Sequence, residues 1–308
     1  MKKRTLLSTF IIIILAIAIN ANLLAEENIQ NNDACIWKIE SDNNTVYLMG
    51  SIHFLQQSDY PLDEKYFRCF EDAENVVFEL HYDSTQSPAF QQYTVLKAFC
   101  PEGETFQSMV SDSTYDITRK ALLDFGTPLA QLQQFEPWFL AITMLSLKLQ
   151  SLGFNPELGV DQHFFNRSKE EEKTILAFET PEQQMDLLES LGGDDQESFL
   201  LKTIDELDEM EAGFSDLVDA WKAGDLEELN ELLNKGFEDY PALKQSLLIQ
   251  RNLNWIDEIE EFTKDNENYL IIVGAGHLAG DEGLVNLLTE KGYCVEQIQA
   301  MHEENNER

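Results

Sequence analysis

Apolar and polar positions alternate over Ile36-Trp-Lys-Ile-Glu40, the pattern of a half-buried strand, and Ser41-Asp-Asn-Asn44 supplies turn residues behind it. The next apolar run, Thr45-Val-Tyr-Leu-Met49, ends in Gly50-Ser-Ile-His53, so a hairpin is expected to feed that segment. Tyr66, Phe67 and Phe70 recur at three-to-four spacing and predict a helix over Pro61 to Ala73. Asn75-Val-Val-Phe-Glu-Leu-His81 reads as a strand that puts Val77, Glu79 and His81 on one face and Val76, Phe78 and Leu80 on the other. A carboxylate within such a run needs a partner, because an unpaired buried charge is costly. From Ser87 to Leu158 the periodicity turns helical, with the aromatic group Phe135, Trp138 and Phe139 read as core packing in preference to a cleft wall. Lys173-Thr-Ile-Leu-Ala-Phe-Glu179 is a third apolar strand; Thr180 with Gln183 forms a capping box and Pro181 opens a helix behind it. The stretch from Asp194 to Asp265 is helical and acidic, with Gly224-Asp225 closing one helix and capping the next, and Gly236 ending another. The last apolar run, Tyr269-Leu-Ile-Ile-Val273, breaks at Gly274-Ala-Gly-His277.

Strands separated by helices predict an α/β fold with a central mixed, mainly parallel sheet that carries two Gly-x-x-His strand ends. A helical insertion of about residues 87–158 is expected to lie over the sheet, and an acidic helical region spans about 181–265, all within one domain over 34–300. Chance is a weak explanation for the repeated Gly-x-x-His: with 15 Gly and 5 His in 308 residues, roughly 0.24 such pairs are expected. In open α/β sheets, ligands bind beyond the carboxyl ends of the strands, where both histidines would emerge. The competing reading is two core-strand histidines with satisfied hydrogen bonds.

Composition adds a compartment and removes some partners. Lys2-Lys3-Arg4 followed by the apolar Phe10 to Ile19 reads as a signal peptide or N-terminal anchor over residues 1–25, predicting a periplasmic or secreted protein. The formal charge of −36 argues against nucleic acid as a partner and leaves the membrane only through that segment. It favours cationic ligands, and some carboxylates are candidate metal ligands. Cys35, Cys69, Cys100 and Cys294 are an even count without Cys-x-x-Cys spacing, so at least one disulfide is expected, with buried free thiols as the rival.

Gly50-Ser-Ile-His53, Val77-Phe-Glu79, Gly159-Val-Asp161, Leu176-Ala-Phe-Glu179-Thr180 with Gln184, Arg251-Asn252 and Gly274-Ala-Gly-His277-Leu-Ala-Gly280 occur in that order. In these markers the chain resembles the TraB/GumN proteins, which are related to the Tiki metalloproteases and more distantly to erythromycin esterases and ChaN haem-binding proteins. The resemblance covers Trp37 to Ile298. It implies one cleft, under a lid formed by the helical insertion, in which both Gly-x-x-His ends meet the acidic strand ends, and a hydrolase that uses a divalent ion, Mn, Co or Zn, on a peptide or small-molecule substrate. His53, Glu79 and His277 are the expected metal ligands. Glu179 is expected as a further ligand or general base and Arg251 as an oxyanion or substrate-carboxylate binder. Asp161 and Asn252 are expected at the substrate, His163 is an outer candidate, and His81 and His302 are incidental. The alternative is a non-catalytic protein that binds a peptide, haem or signal molecule in the same cleft.

Overall fold

The computed structural model describes residues 34–191, 196–238 and 241–299; the N-terminal segment and His302 lie outside them. Strands β1 (Ile36–Glu40) and β2 (Thr45–Ser51) form the expected hairpin, with Ile36 opposite Met49 and Glu40 opposite Thr45. Its turn is closed by Ser41, whose Oγ accepts the amides of Asn43 and Asn44 at 3.1 and 3.0 Å. The following helix covers Glu64–Asp72, because the Asp63 carboxylate caps it by accepting the Lys65 amide at 2.8 Å; it buries Tyr66, Cys69 and Phe70.

Four more strands complete the sheet: β3 (Asn75–Leu80), β4 (Thr174–Glu179), β5 (Tyr269–Gly274) and β6 (Val295–Gln297). The order is β4-β3-β5-β2-β1-β6. The first four are parallel and β1 runs against both of its neighbours. Every residue of β3 and β5 is buried, as strands covered on both faces require, and this explains their unbroken apolar runs. Register brings the carboxyl ends together: Ser51 pairs with Gly274, Phe78 with Ile272 and Leu80 with Glu179. His53 and His277 therefore leave adjacent parallel strands at one edge, and Glu79 and Glu179 reach it from the other two.

Helices cover the sheet. In Pro137–Ser151 eleven residues are buried, including Trp138, Phe139 and Met144, so this helix is covered over most of its surface and the two aromatics are core as expected, with half-buried Phe135 stacked on Phe139 just ahead of it. It packs against the Gln196–Glu206 helix, while Pro88–Ala98 packs against Pro181–Leu191 through Tyr93 on Asp186 (2.6 Å) and Lys97 on Glu189 (2.7 Å). The Thr180–Gln183 capping box is present at 2.8 and 3.3 Å. Gly224, at φ 62°, ends one helix and Asp225 caps the next. Gly236 falls inside Leu226–Phe237, one residue before the end, where the sequence placed a break.

All four cysteines are free. The expected disulfide is corrected by packing. Cys35 is buried with its Sγ where a Cβ on Gly50 would come within 2.5 Å, so the thiol fills core space behind the first Gly-x-x-His turn. Burial pushes its pKa well above the ordinary thiol value, keeping it an unreactive thiol.

Candidate functional site

Each of the two turns is tied to a neighbouring element, and the first leaves no room for a side chain at its glycine. The Gly50 amide donates to Cys35 O (2.8 Å), its carbonyl accepts the Trp221 indole (2.8 Å), and a Cβ there would meet Ala275 Cα at 3.1 Å. Gly274 donates its amide to Glu79 Oε1 at 2.7 Å, tying the second turn to β3.

At the sheet edge the side chains form one connected network. Arg251, on the Gln250–Phe262 helix, donates from Nε to Glu179 (2.8 Å) and from one terminal nitrogen to Glu79 (2.5 Å). Its other terminal nitrogen donates to Leu247 O (3.0 Å) and to His277 Nε2 (2.9 Å). Four of its five N–H groups are thus used. Its guanidinium lies over the Trp255 ring at 4.8 Å, and Trp255 stacks on Phe178 at 4.9 Å. Gln184 bridges the two carboxylates at 3.3 and 3.2 Å, and the Trp255 indole donates to Glu179 at 3.1 Å. A π-helical turn, Gln245–Ile249, immediately precedes this helix and presents the Leu247 carbonyl to Arg251.

The two imidazoles are each held from behind. Asn252 donates from Nδ2 to the carbonyls of His277 (3.2 Å) and Glu282 (2.7 Å), which turns its Oδ1 towards His277 Nδ1 at 2.6 Å. That network assigns the proton to Nδ1 and the lone pair to Nε2, where Arg251 donates. Asp161, on the Val160–Glu170 helix, accepts His53 Nδ1 at 2.9 Å and the Tyr82 hydroxyl on its other oxygen. His53 Nε2 is thereby left for a proton, a metal or a substrate.

Electrostatics follow from these contacts. Burial opposes the charge on Glu79, but Arg251, both histidines and the Gly274 amide outweigh it and hold the carboxyl far below its usual range. Burial and the Arg251 charge push His277 down to about 3, so it is neutral at physiological pH. His53 goes the other way: burial would lower it, and Asp161 more than restores the charged form. Burial likewise works against Arg251, and Glu79 with Glu179 keeps it charged.

The sequence profile of the TraB/PrgY/gumN family matches residues 35–297. The chain belongs to this family. Among relatives, an uncharacterized protein of Treponema pallidum (strain Nichols) is 18% identical over 280 residues, covering 85% of this chain and 82% of that protein. A metalloprotease TIKI homolog of Amphimedon queenslandica is 33% identical over 79 residues, 25% of this chain and 14% of that protein. No solved structure gives a significant match.

In this TraB/PrgY/gumN chain, His53, Glu79, Glu179, Arg251 and His277 meet at one edge. Asp161 and Asn252, expected at the substrate, sit behind the histidines: they are 3% and 1% exposed and hold the rings. Arg251 is no surface partner of the acidic helices; it is the buried centre of the cluster. His163 is apart from it, packed edge-on to Phe67 and Phe164 with a buried Nε2 that has no partner among the described residues. His81 packs on Phe165 in the same manner. Tyr82 and Trp255 went unnoticed in the sequence; their hydroxyl and indole donate to site carboxylates, and only the site's geometry distinguishes them from core aromatics.

Two Nδ1-anchored imidazoles and two carboxylates fit a divalent ion in donor type, since metal-binding histidines are held through their second nitrogen in this way. Among the described residues, no group of three or more His, Cys, Asp and Glu side chains stands in a metal-holding arrangement. The guanidinium of Arg251 fills the position between Glu79, Glu179 and His277.

Proposed function

We propose that this chain is an exported hydrolase that cleaves a peptide or related carbonyl substrate at the His53–Glu79–His277 edge, with a divalent ion held by those three residues. The observation that carries the reading is the pairing of His53 with buried Asp161 beside a neutral His277, Glu79 and Arg251. An ion bound there supplies acidity to a bound water and polarisation to the scissile carbonyl. The chain's own groups do the rest. Asp161 fixes the His53 ring through Nδ1, which leaves Nε2 as the donor that would hold the ion. Glu179 is the carboxylate of this edge that would take a proton from water and return it to the leaving group. Asn252 keeps the His277 lone pair on Nε2. Arg251, which would give up its contacts to His277 and Glu79 where an ion is bound, would then offer its freed N–H groups to a developing oxyanion or substrate carboxylate. Localisation outside the cytoplasm rests on residues 2–19 of the sequence.

A second reading, binding without turnover, is favoured by one observation: Glu79, Glu179 and His277 already have protein partners on each of their polar atoms. Elemental analysis followed by cleavage of a peptide library with and without chelator separates the two. Turnover that is lost with chelator, and reduced at least about a hundredfold in His53→Ala, is expected. A ligand retained by the protein and never cleaved would establish the second reading.

A further inference from the structure

Besides the Leu247 carbonyl, the acceptors that converge on Arg251 are two carboxylates and one imidazole, at 2.5, 2.8 and 2.9 Å. Hard-to-borderline divalent ions select this same set. A guanidinium and a divalent ion cannot share it, because the lone pair on His277 Nε2 serves one or the other and the two cations repel at such separations. We infer that Arg251 is an internal, displaceable cation: it occupies Glu79 and His277, two of the three ligands proposed above, with Glu179 beside them, and exchanges with the metal, which sets the affinity and the coupling of metal binding to side-chain movement. This inference rests on the metal-dependent reading above.

Two features support exchange over a fixed strut. Arg251 borders an open pocket of about 400 Å3 whose lining includes Asp186, Gln250, Trp255 and Glu258. Glu258 has no cationic partner among the described residues, so the pocket offers a carboxylate to a guanidinium that swings out of the site on its long stem. The Trp255 ring, in contact with both Arg251 (4.8 Å) and His277 (4.5 Å), gives the guanidinium an aromatic surface along which to move while the imidazole stays in place. Gln184, which donates to both carboxylates, keeps them near one another when Arg251 leaves.

The test is Zn(II), Mn(II) and Co(II) titration by calorimetry of the full mature chain, wild type beside Arg251→Met and Arg251→Lys, with thermal unfolding at each metal concentration. Removing the competitor should tighten binding at least about tenfold in Arg251→Met. Metal should also raise the unfolding temperature of that variant more than that of wild type. Arg251→Lys, which keeps a cation but cannot span three acceptors, should fall between them and guards against a misfolded methionine variant. In wild type, Zn(II) saturation should shift or broaden the NMR signal of the Arg251 Nε–H. If wild type binds metal and both variants bind it no more tightly, or the Nε–H signal is unchanged by Zn(II), Arg251 is a fixed part of the site and the exchange is wrong, while the metal-dependent reading survives. If neither wild type nor the variants bind any of the three ions, both fall.

Discussion

At the scale of single residues, His53 and His277 show how neighbours set opposite behaviour for the same side chain. His277 is buried beside a guanidinium and is pushed down to about 3 from an ordinary 6.5. A folded pKa below the unfolded one means that the unfolded chain takes up the proton first, so the contribution to stability is complete above pH 6.5 and lost as pH falls towards 3. His53, raised by Asp161, contributes stability that is complete below 6.5 and lost at higher pH, so the two windows do not overlap. In chelator-containing buffer, wild type should lose about 1.4 kcal/mol more per pH unit than His277→Asn as pH falls from about 6 to 4. Urea denaturation across that range measures it, and equal slopes would show that His277 titrates normally. The sequence made both histidines conspicuous through their glycines, yet their separate roles were illegible. What distinguishes them is a carboxylate 108 positions away from one and a guanidinium 26 positions away from the other.

At the scale of elements, strand ends and caps were legible because they are local. The Gly-x-x-His turns, the capping box at Thr180 and the Gly224–Asp225 junction each depend on a few adjacent residues, and each lies where the pattern put it. Strand order was not legible: β5 inserts between β2 and β3, and nothing local in 269–274 encodes which strands it parts. The approach of the helix bearing Asp161 depends on one such long-range fit. Gly159 lies against the first turn so closely that a Cβ would sit 2.4 Å from the His53 carbonyl oxygen. Gly159→Ala must therefore move the helix or the turn, although φ there is −57° and alanine adopts it freely. The expected result is a weakened His53–Asp161 pair: the His53 pKa, followed by NMR, drops from its raised value towards or below 6.5, and any hydrolytic activity falls about tenfold or more with the circular dichroism spectrum retained. An unchanged His53 titration would mean that the backbone absorbs the methyl group without moving Asp161.

For the whole molecule, the dominant physical fact is a charge of −36, from 57 acidic against 21 basic residues. The few cations are not spread evenly over this excess. Arg251 is spent inside the site, and several others form local pairs such as Lys97 with Asp186 and Glu189, or Arg68 with Glu64. Among the described residues, many acidic side chains on the 196–265 helices, such as Glu211, Asp216, Asp219, Glu227 and Glu231, are exposed, so the folded state carries self-repulsion that the expanded unfolded chain partly relieves. Mobile ions screen that repulsion over a length of about 10 Å at 0.1 M and about 3 Å at 1 M, while the buried Arg251–Glu79–Glu179 cluster is shielded from them. The two contributions therefore separate on salt. Raising sodium chloride from about 0.01 to 0.5 M should raise the unfolding temperature of wild type by several degrees, and that of Glu79→Gln by the same increment from a lower start. The offset between the two proteins, about 3 kcal/mol or more for leaving a buried guanidinium short of a carboxylate, should persist at every salt concentration. Calorimetric scans over that salt series decide it: an offset that shrinks with salt would mean that the cluster is open to solvent, and a wild-type unfolding temperature that falls with salt would mean that surface ion pairs outweigh the acidic excess.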